Sequence, residues 1–130
     1  MNNTAPLILV VEDQPLVLMS IEQGLQDSGY EVIGASNGAD ATGKMEAMGD
    51  TIGALVTNVH LGKGPDGWHV ARRGRDLDPG IPVIYTTAAW TSDWASQAVP
   101  DSIVVPKPFR VEQIVTALAM LIEEAAGPSH

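Results

Sequence analysis

The 130 residues carry 16 acidic and 7 basic side chains, for a formal net charge of −9, and contain no cysteine. Hydrophobic residues make up 45% of the chain and charged residues 18%, which excludes a disordered polyelectrolyte and fits one globular domain with its own core. The negative balance argues against attraction to nucleic acid or anionic lipid, and the missing thiols remove disulfides, thiolate metal sites and cysteine nucleophiles.

Apolar stretches such as Pro6–Val11 and Ile114–Ile122 are too short or too broken to cross a bilayer, and Met1–Pro6 lacks the basic start of a secretory signal. The expectation is a cytoplasmic chain with no membrane partner. It is read as a single domain over residues 1–130, with a core over about 6–124 and a short flexible tail over 125–130.

Leu7–Val11 is a short, branched apolar run that passes at once into Glu12-Asp13-Gln14-Pro15, which reads as a buried strand handing over to a helix. From Leu16 to Gln26 the apolar residues Leu18, Ile21 and Leu25 recur at helical spacing, and Gly29 closes the segment. Glu31–Ala35 fits a second strand. Ser36 or Asn37 can cap the helix that follows, whose residues Ala41, Met45 and Met48 share one face before Gly49 and Asp50 end it.

Ile52–Val56 continues into Thr57-Asn58-Val59 as a third strand with a polar end. A glycine-rich loop over residues 62–67 follows, and Asp66 can cap a helix from Trp68 to about Leu77, stopped by Pro79-Gly80. Pro82–Thr86 is a fourth strand, Thr91–Gln97 a short helix, and Ser102–Val105 a fifth strand. The last helix is the plainest, because Val111, Ile114, Val115, Leu118, Leu121 and Ile122 form a wide apolar stripe.

Strands alternating with helices call for a parallel sheet covered on both faces. Five such units in this length give an α/β, flavodoxin-like (βα)5 three-layer sandwich around a five-stranded parallel sheet. In these sheets ligands bind outside the carboxyl ends of the strands. Four strands finish there in polar residues: Glu12-Asp13, Asn58, Thr86-Thr87 and Lys107. An acid pair with an amide oxygen suits Mg²⁺, while a hydroxyl and an ammonium suit phosphoryl oxygens, so the set points to phosphoryl handling.

Over roughly Leu7 to Ile122 the chain resembles the receiver domains of bacterial two-component response regulators (CheY-like). The resemblance is carried by Ile8-Leu9-Val10-Val11-Glu12-Asp13, the Leu55–Gly67 segment, Pro82-Val83-Ile84-Tyr85-Thr86-Thr87 and Lys107-Pro108-Phe109. It implies that Glu12, Asp13, Asn58 and the backbone carbonyl of His60 surround a Mg²⁺ ion. It further implies that Thr87 senses a phosphoryl group, that Lys107 neutralises its charge, and that the peptide before Pro108 is cis.

Three departures bear on function. Asn58 stands where the family carries its phosphorylated aspartate, and a neutral amide is too poor a nucleophile to form an acyl phosphate. Glu12, Asp13 and Lys107 leave the pocket at −1, where a carboxylate at position 58 would make −2, so Mg²⁺ is expected to bind more weakly through the amide oxygen. Gly62 replaces a usual proline and Gly67 comes about one residue late, so the loop is expected to be mobile. Val104, three residues before Lys107, replaces a frequent aromatic switch residue.

Plainer readings exist for each residue alone. Glu12-Asp13 can be a solvated strand end, Lys107 a surface lysine and Thr87 a strand terminus; their order at successive strand ends favours the pocket. His60, His69 and His130 lack metal-ligand spacing, and the loop glycines do not match a nucleotide-binding fingerprint. Trp90 and Trp94 lie four apart, as core residues on one helical face do.

The resulting expectation is a non-enzymatic receiver that takes phosphate from a histidine kinase or phosphotransfer protein, arrested here by Asn58. Its downstream partner would meet the face of the fourth helix, fifth strand and fifth helix, in a monomer or weak homodimer. The chain would stand alone or form one domain of a larger protein. Asn58 is either a natural loss of the acceptor or a replaced aspartate. The alternative is a phosphorylation-independent pseudoreceiver that binds a protein partner constitutively. A small phosphotransfer or phosphatase enzyme is the third reading, and it lacks a nucleophile.

Overall fold

The computed structural model describes residues 6–88 and 93–125. Among these, five strands alternate with five helices: β1 (Leu7–Val11), α1 (Pro15–Asp27), β2 (Glu31–Ala35), α2 (Gly38–Met48), β3 (Ile52–Asn58), α3 (Gly67–Leu77), β4 (Val83–Thr87), α4 (Asp93–Gln97), β5 (Ile103–Pro106) and α5 (Val111–Ala125). A 3-10 turn over Gly49–Thr51 leads into β3. All pairings are parallel, in the order β2-β1-β3-β4-β5. The order reverses between β1 and β3, which opens a crevice at their carboxyl ends.

The central strands read as continuous apolar runs because both of their faces are covered. Ile8, Leu9 and Val10 are all fully buried, and so are Ala54 and Leu55. Successive residues point to opposite layers. Leu9, Val11, Leu55 and Tyr85 pack with Ala41 and Met45 of α2 and Val70 and Ala71 of α3, whereas Ile8, Val10, Val56 and Ile84 pack with Ile21 and Leu25 of α1 and Ile114 and Leu118 of α5. The result is the expected three-layer, flavodoxin-like sandwich.

Local signals set the helix starts that border the crevice. Asn37 caps α2, its side chain accepting from the Asp40 N–H at 2.7 Å, and Asp66 caps α3 by accepting from the His69 N–H at 2.9 Å. Gln14 precedes Pro15 of α1 without a side-chain cap of its own, and its N–H is taken by Glu12 instead.

Several bounds differ by a residue or more from the sequence reading. β4 starts at Val83 and runs to Thr87, whereas Pro82 has no N–H to place in the ladder. β5 begins after Ser102, whose hydroxyl donates to the Val99 carbonyl at 2.6 Å in the preceding turn. α5 continues past Ile122 to Ala125. Trp90 and the expected start of α4 at Thr91 lie outside the described residues, as does most of the tail over 125–130. Among the described residues no helix is long and apolar enough to cross a membrane.

Candidate phosphoryl-handling pocket

The register aligns the polar strand ends. Val11 of β1 lies opposite Thr57, Asn58 of β3 opposite Thr86, and Thr87 of β4 opposite Pro106. The Glu12 N–H donates to the Ala35 carbonyl at 3.0 Å and carries the β1–β2 ladder one residue beyond the strand. The Lys107 N–H donates to the Thr87 carbonyl at 2.7 Å, which fixes these two residues side by side. The Lys107–Pro108 peptide is cis.

The two acids part company here. Glu12 is 1% exposed, and its carboxylate is fully engaged: Oε1 accepts from Lys107 Nζ at 3.0 Å and Oε2 from the Gln14 N–H at 3.0 Å. Asp13 is exposed and faces Asn58. The Asn58 Nδ2 donates to the His60 carbonyl at 2.9 Å and lies 3.5 Å from Asp13 Oδ1. Asp13, Asn58 and the His60 carbonyl thus form one hydrogen-bonded group and Glu12, Lys107 and the Gln14 N–H a second, joined through the Glu12–Asp13 backbone, with Thr87, 5% exposed, bordering the second through the backbone of Lys107.

The amide nitrogen of Asn58, rather than its oxygen, is directed at the His60 carbonyl and Asp13. The reason is elementary: a backbone carbonyl and a carboxylate only accept, so the donor end of the amide turns toward them. Among the described residues no three Asp, Glu, His or Cys side chains converge to hold a metal. A hard cation would rely on the Glu12 and Asp13 carboxylates and the His60 carbonyl, an oxygen donor set that suits Mg²⁺ once the Asn58 nitrogen moves aside.

Gly67 fastens the loop back onto this cluster. Its N–H donates to the Val59 carbonyl at 2.8 Å, and a Cβ at this position would overlap the Asn58 carbonyl oxygen. The glycine that comes one residue late in the sequence pattern is thus where the start of α3 touches the end of β3.

Two groups of residues escaped the sequence reading. Tyr85 of β4 is fully buried between Trp68 of α3 and Trp94 of α4, with ring centroids 4.7 Å and 5.5 Å away. Its hydroxyl accepts from the Val99 N–H at 3.1 Å, and burial raises its pKa above the ordinary tyrosine value. No spacing signal joins residues so far apart in the chain. The second group is an apolar shelf beside Lys107, a cavity of about 520 Å³ lined by Leu16, Val17 and Ile21 of α1 with Pro108, Phe109 and Val111. Leu16 is 79% exposed there, and Met19, elsewhere on α1, is 61% exposed. Their positions off the buried α1 stripe were the available clue.

Residues 8–119 match the model of the response regulator receiver domain. The chain belongs to this family. A crystallised response regulator receiver protein from Sinorhizobium medicae WSM419 superposes with a TM-score of 0.89 at 37% identity, covering 93% of this chain and 97% of that one. Transcriptional regulatory protein PrrA of Mycobacterium tuberculosis is 33% identical over 124 residues, or 92% of this receiver and 51% of PrrA. Sensor kinase CckA of Brucella abortus is 29% identical over 119 residues, 90% of this receiver but 12% of CckA. Response regulator receiver protein CpdR of the same organism is 27% identical over 88% of this receiver and 95% of CpdR. The receiver thus spans about half of PrrA and a small part of CckA, but nearly the whole of CpdR. Receiver domains are signalling modules of two-component systems that meet histidine kinases or phosphotransfer proteins and downstream effectors, and generally bind Mg²⁺ at an acidic pocket.

Proposed function

We propose that this receiver is held in its unphosphorylated form by Asn58, inside a pocket that otherwise retains what aspartyl phosphorylation needs. The observation that carries the reading is the position of Asn58. It ends β3, buried, hydrogen-bonded to the His60 carbonyl and to Asp13, the residue that follows the Lys107-paired Glu12. An acyl phosphate forms when a carboxylate oxygen attacks phosphorus and the donor leaves with the bonding pair. The Asn58 amide is uncharged and its nitrogen lone pair is delocalised, so it cannot serve.

The remaining side chains keep defined tasks. Lys107, held by Glu12, would supply positive charge to a phosphoryl group, and the Thr87 hydroxyl, from the adjacent strand end, would meet a phosphoryl oxygen. Glu12, Asp13 and the His60 carbonyl would hold Mg²⁺, whose role is to neutralise phosphoryl charge. With Asn58 in place the acceptor carboxylate is missing from the end of β3. A phosphodonor protein, either a histidine kinase or a phosphotransfer protein, would lie over the apolar shelf at Leu16 and Phe109, next to Lys107.

On the output side, a groove of about 580 Å³ between β5 and α5, lined by Val104, Arg110, Glu112 and Met120, supports a downstream partner at the α4–β5–α5 face. A second reading, a pseudoreceiver that binds its partner constitutively, is favoured by the satisfaction of every buried polar side chain among the described residues without phosphate or metal.

Acetyl phosphate with Mg²⁺ tests the reading. The unaltered chain should keep its intact mass, whereas Asn58→Asp should gain one phosphoryl group that is labile to hydroxylamine. A stable phosphoryl adduct on the unaltered chain, or an inert Asn58→Asp variant that is folded, would overturn it. If Asn58→Asp is phosphorylated yet its affinity for the downstream partner does not change, the pseudoreceiver reading takes its place.

A further inference from the structure

We infer that the Asn58 amide nitrogen is a built-in substitute for the divalent cation, so that metal must displace it rather than gain it as a ligand. The inference rests on the assignment of Glu12, Asp13 and the His60 carbonyl as the cation's oxygen donors. Without metal, each of these acceptors already has a donor. Glu12 holds Lys107 Nζ and the Gln14 N–H at 3.0 Å each. The His60 carbonyl holds Asn58 Nδ2 at 2.9 Å, and Asp13 Oδ1 lies 3.5 Å from the same nitrogen.

The Asn58 NH₂ group therefore links the turn after β1 to the loop after β3, the two segments whose oxygens would hold the cation. A carboxylate at position 58 would instead point negative oxygens at the Asp13 carboxylate and the His60 carbonyl, and only a cation between them would relieve the repulsion. The substitution does more than remove one unit of charge. It closes the cluster on itself, so the bond from Asn58 Nδ2 to the His60 carbonyl would have to break and the amide swing aside before a cation could use these oxygens.

Replacing Asn58 with a residue that is also neutral separates competition from charge. Asn58→Ala removes the competing donor without altering the formal charge. Titration of the metal-free chains with Mg²⁺, followed by calorimetry, should show Asn58→Ala binding about two- to tenfold tighter than the unaltered chain, the range one hydrogen bond of ordinary net strength allows. Asn58→Asp should bind tighter than either. If the amide oxygen were a ligand, Asn58→Ala would bind more weakly than the unaltered chain, and that result overturns the inference while leaving the cation site intact.

If Asn58→Asp also fails to bind at millimolar Mg²⁺, the assignment of the site falls and the inference with it. Should Asn58→Ala not fold, the unaltered protein decides. Its Asn58 side-chain NH₂ protons should be protected from solvent exchange in the absence of metal and should lose that protection as Mg²⁺ saturates. Unprotected NH₂ protons in the metal-free chain overturn the proposal.

Discussion

Replacing Lys107 by methionine should leave the Glu12 carboxylate as a buried charge with its main partner gone. The Glu12 side chain is 1% exposed and that of Lys107 19%, with Nζ and Oε1 3.0 Å apart. At that separation the gross attraction is about 5 kcal/mol for an effective dielectric constant near 20. Desolvation consumes much of it, so the pair as a whole adds little net stability, yet removing one partner from a buried pair typically costs about 3–5 kcal/mol. Glu12 keeps its second bond, from the Gln14 N–H, which places the expected loss near the lower end of that range, at about 3 kcal/mol.

Urea unfolding of the two chains in EDTA, at neutral pH, measures the loss. The double variant Glu12→Gln/Lys107→Met removes the stranded charge and should recover most of the stability, with a coupling that a double-mutant cycle reads directly. A loss below about 1 kcal/mol, the level of a solvent-exposed pair, would refute the reasoning, because Glu12 would then have adequate solvation without Lys107.

Other perturbations probe the frame around the pocket. Tyr85→Phe keeps the ring between Trp68 and Trp94 but strands the buried Val99 N–H, and should cost about 1–3 kcal/mol in urea unfolding. Burial raises the Tyr85 pKa from 10.0 in the folded chain, so above pH 10 the unfolded chain releases a proton that the folded chain keeps. The stabilisation from this group is complete below pH 10 and is lost as pH rises toward the elevated value, so urea midpoints should fall more steeply from pH 9.5 to 11 for the unaltered chain than for Tyr85→Phe. Gly67→Ala drives a Cβ into the Asn58 carbonyl and should destabilise by about 1–3 kcal/mol, with the largest amide shifts at residues 58–61 and 67–69 in heteronuclear NMR spectra.

Much of the fold is legible in the residues. The continuous runs Leu7–Val11 and Ile52–Val56 announce strands covered on both sides, and the stripe from Val111 to Ile122 announces α5, because burial acts on contiguous or evenly spaced residues. The meeting of Glu12 with Lys107 and of Asp13 with Asn58 is legible for a topological reason: parallel strands in one sheet bring their carboxyl ends to one edge. What the sequence conceals depends on neighbours distant in the chain. Glu12 and Asp13 look equivalent side by side, yet one is buried on Lys107 and the other is exposed against Asn58. The direction of the Asn58 amide follows from two acceptors that only the fold supplies. Trp68 looks like the first turn of a helix, and its tilted ring contact with Tyr85 appears only when α3 settles on β4.

A carboxylate returned to position 58 should complete the pocket, and the most direct measurement is beryllofluoride binding to Asn58→Asp in Mg²⁺, followed by ¹⁹F and heteronuclear NMR. Beryllofluoride attaches to a carboxylate oxygen with the shape of a phosphoryl group. The expected result is a discrete bound ¹⁹F signal together with shifts at Asp13, Thr87 and Lys107, all absent from the unaltered chain. A folded Asn58→Asp protein with no bound fluoride signal, or with shifts confined to residues away from these strand ends, would contradict the assignment of the pocket.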